Sequence, residues 1–222
     1  MGNDIIAIVL AGGAGARFGM LKQFVPINGT PICGYTLKKF SKLPIVFAVP
    51  EVYLDIANNI VKTLNIPNIN VISGGDTRQH SILNALKFID DQKLKCKNVI
   101  ITDANRPCLS DHTINSFIEK LDSSIAAVAV CKSVNTSCAS FMQEKRVANI
   151  YDRTYMYDML MPQGFNYGLI YNAHKNTTIT NATDDAQLLD KNTPIDLVEI
   201  SYWEGLKLTN AEDYKIFEVL LK

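Results

Sequence analysis

The sequence lacks net charge, long apolar runs and any basic leader. Its 222 residues carry 22 lysines and arginines against 22 aspartates and glutamates. A net charge of zero argues against a protein that coats nucleic acid or an anionic membrane, although it is compatible with a local cationic pocket. No apolar run approaches the roughly 20 residues that span a bilayer, and no basic segment precedes the first apolar stretch. We therefore expect an unexported, cytoplasmic protein without a membrane or nucleic-acid partner.

Cysteine and histidine are too scattered for several common sites. The five cysteines are odd in number and include no C-x-x-C pair, which disfavours both a disulfide framework and a zinc centre. The three histidines, His80, His112 and His174, are far apart in the chain. A His-based metal site or a Ser-His-Asp triad is therefore not expected. Chemistry in this chain is expected to use carboxylates, lysines, arginines and backbone amides.

Short apolar runs rich in β-branched residues alternate with helical patterns along most of the chain. Such runs are typical of parallel strands buried on both faces, and they occur at Ile5–Leu10, at Ile45–Val49, around Val71, up to Asp103 and at 126–131. Apolar residues with helical spacing lie between them, at 36–41, 52–64, 81–88 and 113–121. This order predicts one α/β domain over residues 1–222 with a mostly parallel sheet flanked by helices.

The pattern changes between about 133 and 157, where polar alternating stretches indicate an antiparallel hairpin or arm. Such an insertion serves as a lid or a dimer contact, or it folds back on its own domain. The sequence pattern after residue 157 predicts a helix at 166–175, a helix beginning near Asp184, a strand at 195–201 and a closing amphipathic helix from Ala211. Asn210 is the expected N-cap of that last helix.

A glycine-rich segment, LAGGAGARFGMLKQF, directly follows the first strand. Its glycines allow close backbone approach to a ligand and leave amide N–H groups for phosphate oxygens. The segment matches neither the P-loop nor the dinucleotide-binding template. Arg17 and Lys22 would place two positive charges over a polyphosphate. The alternative is a tight turn with two solvated cations.

Two further strand ends carry polar clusters. GGDTRQHSILNAL, at 74–86, offers Asp76, Arg78 and Ser81 to a base edge or a ribose. Taken alone, Ser81 is better explained as a helix N-cap. ITDANRPCLS places Asp103 at the carboxyl end of a central strand, where ligands bind in open α/β sheets and where a carboxylate can contact Mg²⁺. An isolated Asp at this position is equally typical of a turn or a helix cap.

In this order and spacing, these segments resemble the cytidylyltransferases that activate 2-C-methyl-D-erythritol 4-phosphate or ribitol 5-phosphate with CTP. The family's motifs are met at 11–24, at 74–86, at 103–107, by Arg153 with Pro-Gln-x-Phe at 162–165, by Thr-Asp-Asp-Ala at 183–186, and by Lys207 in GLKLTNAEDY. The resemblance implies a Rossmann-like nucleotidyltransferase fold with a protruding β-arm. It also implies transfer of CMP from CTP to a polyol or sugar phosphate, with release of pyrophosphate.

The resemblance also assigns roles to individual residues. Three cations, Arg17, Lys22 and Lys207, are implied to be catalytic. The implied CTP-binding positions are Ala11, Gly12, Gly13, Ala14, Gly15, Gly75, Asp76, Ser81 and Asp103. The implied acceptor-binding positions are Arg106, Arg153, Met161 and Thr183. Asp103, with Glu204 as a candidate helper, would contact Mg²⁺ or its water shell, while the phosphates supply the main metal ligands.

A homodimer is also implied, because in the family the arm crosses to the partner and completes the acceptor site. Its apolar contact here would come from Phe141, Val147, Ile150, Tyr151, Tyr155 and Tyr157.

Because of several departures from the family pattern, the sequence does not identify the acceptor. The stretch from Arg17 to Lys22 is shorter than usual and lacks a proline, and Asn105 replaces an alanine. Met161 stands where a threonine usually precedes Pro-Gln, and it cannot donate a hydrogen bond. The product could therefore serve isoprenoid precursors or a surface polysaccharide.

Two other functions compete with this hypothesis. One is a related nucleotidyltransferase that uses another nucleotide and shares the Leu-Ala-Gly-Gly opening, although GGDTRQHS belongs to the cytidylyl pattern. The other is a catalytically silent homologue that binds nucleotide or acts as a scaffold. Retention of Arg17, Lys22 and Lys207 argues against a silent protein.

Overall fold

The computed structural model describes residues 4–12, 21–141 and 145–222. The strands in these ranges are β1 (Ile5–Leu10), β2 (Pro26–Ile27), β3 (Thr30–Pro31), β4 (Ile45–Val49), β5 (Ile69–Ser73), β6 (Asn98–Asp103), β7 (Ala126–Lys132), β8 (Cys138–Phe141), β9 (Arg146–Ile150), β10 (Tyr157–Asn166) and β11 (Asp196–Glu199). The α-helices are α1 (Ile32–Lys39), α2 (Leu54–Leu64), α3 (Arg78–Asp91), α4 (Asp111–Ser123), α5 (Tyr167–Asn176) and α6 (Ala211–Leu220). None of the helices in the described ranges combines the length and the apolar character that crossing a membrane requires.

Seven strands form one sheet in the order β11-β7-β10-β6-β1-β4-β5. β1 pairs in parallel with β4 and β6, β4 with β5, and β7 with β11, whereas β10 is antiparallel to both of its neighbours. The residues of β1, β4 and β6 are buried throughout, as continuous apolar runs in a sheet covered on both faces should be. The predicted fold class, a mostly parallel sheet flanked by helices, is confirmed. Leu10 pairs with Asp103, so the carboxyl ends of β1 and β6 lie level.

β10, the longest strand in the described ranges, was not predicted from the sequence, which indicated that a helix follows the arm directly. Pro162 and Gly164 interrupt the run, and both residue types normally argue against a central strand. The pairing with β7 shifts register between Leu160 and Gln163. This irregularity takes Pro162 out of the ladder, because a bulge leaves its extra residues unpaired. The strand therefore continues to Asn166, and only then does α5 begin.

Helix boundaries differ from the sequence-based prediction at two functional positions. α3 begins three residues before Ser81, and its N-cap is Thr77, whose side chain accepts from the His80 backbone N–H over 3.1 Å. The N-cap reading of Ser81 is therefore wrong. The helix expected near Asp184 is only a four-residue 3-10 turn, Asp185–Leu188. Asn210 does cap α6, in a reciprocal capping box with Asp213.

The arm is an antiparallel hairpin of β8 and β9, separate from the central sheet. Phe141, Val147 and Ile150 on this hairpin are 59%, 59% and 66% exposed. The predicted segment of about 133–157 contains this hairpin, and its last residue, Tyr157, begins β10. The hairpin therefore presents an apolar surface that its own chain leaves in solvent.

Candidate active site

A cavity of about 300 Å³ opens at the carboxyl ends of β1 and β6. It is bordered by the turn before α3 and by the loop that leads to α6. This is the position where open α/β sheets bind their ligands. The predicted site residues that line it are Gly12, Lys22, Gly75, Asp76, Ser81, Asp103 and Lys207.

Asp103 holds two cations beside this cavity. Its Oδ2 lies 2.9 Å from Lys207 Nζ and 3.0 Å from Arg106 Nε. Burial raises the pKa of Asp103, but the charges of Lys207 and Arg106 outweigh that effect and lower it to about 2. The carboxylate is therefore ionised at neutral pH and positions both cations before any substrate arrives.

The loop that carries Lys207 is anchored by residues 105 and 106. Asn105 Nδ2 donates to the Leu208 carbonyl over 2.6 Å, and the Leu208 N–H donates back to the Asn105 carbonyl over 3.0 Å. Arg106 Nη1 donates to the Gly205 carbonyl. Asn105 thus ties the Lys207 loop to the end of β6.

Glu204, the candidate helper of Asp103, is not among the residues that line the cavity in the described structure. Its Oε1 accepts from Ser110 N and Thr113 Oγ1 over 3.1 and 2.6 Å, and its Oε2 accepts from Ser201 N and Oγ over 3.2 and 3.1 Å. Burial raises the pKa of Glu204, but the hydrogen bonds from Ser110 and Thr113 outweigh it and lower the pKa to about 2. Glu204 instead clamps the Lys207 loop to the N-terminus of α4.

The turn before α3 is organised by Ser81. Its Oγ accepts from the Gly75 N–H over 3.0 Å and donates to the Thr77 carbonyl over 2.9 Å. A Cβ at Gly75 would lie 2.4 Å from the His80 Cβ, so the tight turn requires glycine there. Asp76 is exposed at the rim of the cavity.

Gln23 was absent from the predicted site, although the Lys-Gln-Phe motif pointed to it. Its side chain is 1% exposed, and Nε2 donates to the carbonyls of Ala11 and Gly12 over 2.7 and 3.0 Å. Ala11 is buried against the sheet, and Gln23 holds the backbone where it leaves β1. The predicted positions Gly13, Ala14, Gly15 and Arg17 lie outside the described residues.

Arg78 also lines the cavity, and its partner was not predicted. Its Nη1 and Nη2 donate to Oδ1 and Oδ2 of Asp185 over 3.0 and 2.6 Å. Burial lowers the pKa of Arg78, but the charge of Asp185 outweighs it and raises the pKa above its ordinary value. Such a two-pronged contact fixes a guanidinium in orientation as well as in place.

The residues expected to bind the acceptor are not gathered at this cavity. Arg153 is exposed in the arm, where Nη1 donates to the Val134 carbonyl over 3.3 Å. Thr183 is exposed and accepts from Gln187 Nε2 over 3.1 Å. Met161 is only 3% exposed within β10. Arg106, in contrast, contacts Asp103, which lines the cavity.

No cluster of three or more potential metal ligands among His, Cys, Asp and Glu occurs in the described ranges.

Comparisons with known proteins agree on one family. The family described as "IspD: 2-C-methyl-D-erythritol 4-phosphate cytidylyltransferase" matches residues 5–222. The chain is 33% identical over 228 residues to the 2-C-methyl-D-erythritol 4-phosphate cytidylyltransferase of Thermosipho melanesiensis, covering 96% of each protein. It is 29% identical over 227 residues to the ribitol-5-phosphate cytidylyltransferase of Streptococcus agalactiae, covering 97% of this chain and 94% of the relative.

A solved structure shows the same fold over nearly the whole chain. It is that of the 4-diphosphocytidyl-2C-methyl-D-erythritol synthase of Anaerococcus prevotii. The two superpose with a TM-score of 0.86 at 26% identity, covering 98% of this chain and 97% of the other.

Proposed function

This chain belongs to the 2-C-methyl-D-erythritol 4-phosphate cytidylyltransferase family, and we propose that it transfers CMP from CTP to the phosphate of a polyol or sugar phosphate, releasing pyrophosphate. The observation that carries this proposal is the contact between Asp103 and Lys207, which presents a fixed cation at the carboxyl ends of β1 and β6. Lys22 lines the same cavity. The resulting cationic surface suits a triphosphate better than a neutral ligand.

CTP would lie across the cavity with its triphosphate over the end of β1. Gly12 leaves room for close approach there, and Gly13, Ala14 and Gly15 belong to the same proposed phosphate loop. The cytosine and ribose would face the turn before α3, where Gly75, Asp76 and Ser81 offer backbone and side-chain hydrogen-bond partners. Ala11 shapes the floor beside them.

The reaction needs positioning and charge neutralisation from the protein. An oxygen of the acceptor's phosphate attacks the α-phosphorus of CTP in line, and the bond from that phosphorus to the oxygen bridging to the β-phosphate breaks. Pyrophosphate leaves with the bonding electrons. Lys22, Lys207 and Arg17 would stabilise the negative charge that builds up on the α-phosphate oxygens. The attacking phosphate is already anionic, so no protein base and no covalent intermediate are required.

Mg²⁺ is the cofactor proposed for this reaction. One buried carboxylate, Asp103, faces the cavity, and its two ion-pair contacts described above both fall on Oδ2. A single carboxylate together with phosphate oxygens and water is a donor set that suits Mg²⁺. Bound there, the ion would neutralise charge on the triphosphate.

The acceptor is proposed to be 2-C-methyl-D-erythritol 4-phosphate or ribitol 5-phosphate, the substrates named for the relatives above. Arg106, Arg153 and Thr183 are the proposed acceptor contacts. Met161 is buried in β10 rather than presented to solvent, so it would shape the acceptor region through packing.

Arg153 and Thr183 do not line the cavity of their own chain, so they need a second protomer to take part in acceptor binding. In a homodimer, the arm of one protomer would carry Arg153 to the cavity of the other. The hairpin offers Phe141, Val147 and Ile150, all more than half exposed, as its contact surface. We propose that the arm of one protomer reaches the acceptor side of its partner's cavity.

Pyrophosphate release tests the proposed function. Purified protein with Mg²⁺ is assayed with CTP, UTP, GTP and ATP against methylerythritol phosphate, ribitol 5-phosphate and other polyol or sugar phosphates. Release with CTP and one polyol phosphate is the expected result and identifies the acceptor. Release only with another nucleotide, or none with any pair, would contradict the proposal.

A further inference from the structure

A chain of three side chains leads from the nucleotide cavity to helix α5. Arg78 lines the cavity and is paired through both of its terminal nitrogens with Asp185. On the far side of that carboxylate, His174 Nε2 lies 3.0 Å from Asp185 Oδ1. The side chains of His174 and Asp185 are 1% and 0% exposed. The cavity is thus connected to a histidine that no described motif includes.

The hydrogen bonding of Asp185 determines which atom of His174 carries a proton. An ionised carboxylate only accepts hydrogen bonds, so Nε2 must be the protonated nitrogen facing Oδ1. Burial raises the pKa of Asp185, but the hydrogen bond from His174 and the charge of Arg78 outweigh it and lower the pKa. Asp185 therefore keeps its charge and holds three donor contacts, two from Arg78 and one from His174.

This arrangement constrains Arg78 more than a simple ion pair would. If Arg78 were its only partner, the Asp185 carboxylate could rotate together with the guanidinium. A second hydrogen bond, from His174 on a different helix, fixes the plane of the carboxylate. Arg78 is the most exposed of the three residues, with 25% of its side chain accessible to solvent. The direction in which its guanidinium faces the cavity is thus set by a carboxylate that His174 holds in place.

The same carboxylate also belongs to the turn expected to contact the acceptor. Asp185 follows Thr183 and Asp184, and Asp184 Oδ1 accepts from Gln163 Nε2 over 3.0 Å. The turn is therefore attached both to β10 and to the start of α3. A change at His174 would reach the nucleotide side through Arg78.

We infer that His174 is a positioning residue for nucleotide binding: by donating Nε2–H to Asp185, it orients Arg78 toward CTP. The inference rests on the proposed function, because it requires CTP to occupy the cavity that Arg78 lines. His174 does not line that cavity and reaches it through Asp185 and Arg78.

The test compares CTP binding by calorimetry in wild type, His174→Phe and His174→Gln. Phenylalanine keeps a ring but removes the donor, and the Kd for CTP should rise about tenfold, the effect expected from loss of a charge-assisted hydrogen bond. Glutamine offers an amide N–H in place of Nε2 and should restore most of the affinity. His112→Phe, at an exposed histidine on α4, is the matched control and should bind like wild type.

A double-variant cycle separates positioning from general damage to the fold. Arg78→Ala should itself weaken CTP binding, and adding His174→Phe to it should change the Kd by less than about twofold. A purely structural role would lower the melting temperature and weaken binding equally in both backgrounds. If His174→Phe does not fold, His174→Leu, which also lacks a hydrogen-bond donor, takes its place in the same cycle.

The outcomes distinguish the inference from the proposed function. Wild-type protein that does not bind CTP would contradict the proposed function, and the inference would fall with it. Wild type that binds CTP while His174→Phe binds equally well would overturn the inference alone. An undiminished effect of His174→Phe in the Arg78→Ala background would also overturn it.

Discussion

The two halves of the proposed active site are built differently. On the nucleotide side, Asp103 is buried and in contact with two cations, and Arg78 is locked onto a fully buried Asp185. On the acceptor side, Arg153 and Thr183 are exposed and contact only local groups. The nucleotide half, to which the proposed acceptor contact Arg106 is attached through Asp103, is thus preorganised within one chain, whereas Arg153 and Thr183 are left exposed.

This difference follows from where the residues sit. Asp103 ends a central strand and Arg78 begins a helix packed on the sheet, so the core that holds those elements also holds the side chains. Arg153 belongs to an arm whose hairpin strands pair with each other and not with the central sheet. In the proposed homodimer, the exposed apolar residues of the hairpin would contact a partner protomer and bring the arm to that partner's cavity.

Lys207→Ala should produce the largest effect, because it removes a cation from the nucleotide half of the site. We expect turnover to fall about 10²- to 10³-fold, as removal of one preorganised transition-state contact does. The protein should stay folded, because the lysine is partly exposed and its loop keeps the anchors at Asn105 and Glu204. Steady-state pyrophosphate release measures the loss, and Lys87→Ala at an exposed position of α3 is the control. Near-normal turnover would remove Lys207 from the mechanism.

Arg153→Ala should break the acceptor half alone. Loss of a cation that contacts a phosphate should raise the KM for the acceptor about 10- to 100-fold, while the Kd for CTP stays unchanged. Initial rates at varied acceptor and calorimetry with CTP separate the two effects. Lys145→Ala, which removes another exposed cation of the arm, should change neither. An equal loss of CTP affinity would show that the two halves are not separate.

Glu204→Gln should have a smaller effect, which depends on pH. The carboxylate accepts four hydrogen bonds, and its replacement should lower the free energy of unfolding by about 1–2 kcal/mol at pH 7. The pKa of Glu204 is lowered from 4.5 to about 2. Its stabilisation is therefore fully present above pH 4.5 and is lost as the pH falls toward 2.

Thermal unfolding of wild type and Glu204→Gln between pH 7 and pH 2.5 checks this prediction. The gap between their melting temperatures should narrow below pH 4.5. Glu119→Gln, an exposed glutamate on the same helix α4, should give no such gap. A difference that stays constant down to pH 2.5 would contradict the assigned role of the ionised carboxylate.

The sheet and the nucleotide half were largely predictable from the sequence because their signals are local. Ile5–Leu10 and Ile45–Val49 are unbroken apolar runs, and the structure has strands with the same bounds. Glycine-rich turns directly after such strands pointed to the cavity. Asn210 was recognised as a cap because its acceptor and the acidic first turn of α6 are adjacent in sequence.

The missed features depend on contacts between distant parts of the chain. Asp185 lies 107 residues from Arg78, and no pattern in either segment reveals that they pair. Glu204 was named as a candidate helper of Asp103, but its carboxylate is held by Ser110 and Thr113 at the N-terminus of α4, more than 90 residues earlier in the chain. Pro162 concealed β10, because a bulge in the pairing with β7 is needed to accommodate it.

Mixing two impaired variants, assayed at an acceptor concentration well below the KM of Arg153→Ala, tests most directly whether the acceptor half is completed by a partner. Lys207→Ala and Arg153→Ala proteins are unfolded together, refolded as a mixture and assayed for CTP-dependent pyrophosphate release. In a heterodimer with exchanged arms, the protomer that retains Lys207 receives the partner's intact Arg153, so random pairing should restore about a quarter of wild-type activity. A mixture no more active than the average of the two variants would contradict the account, because both residues would then act within one chain.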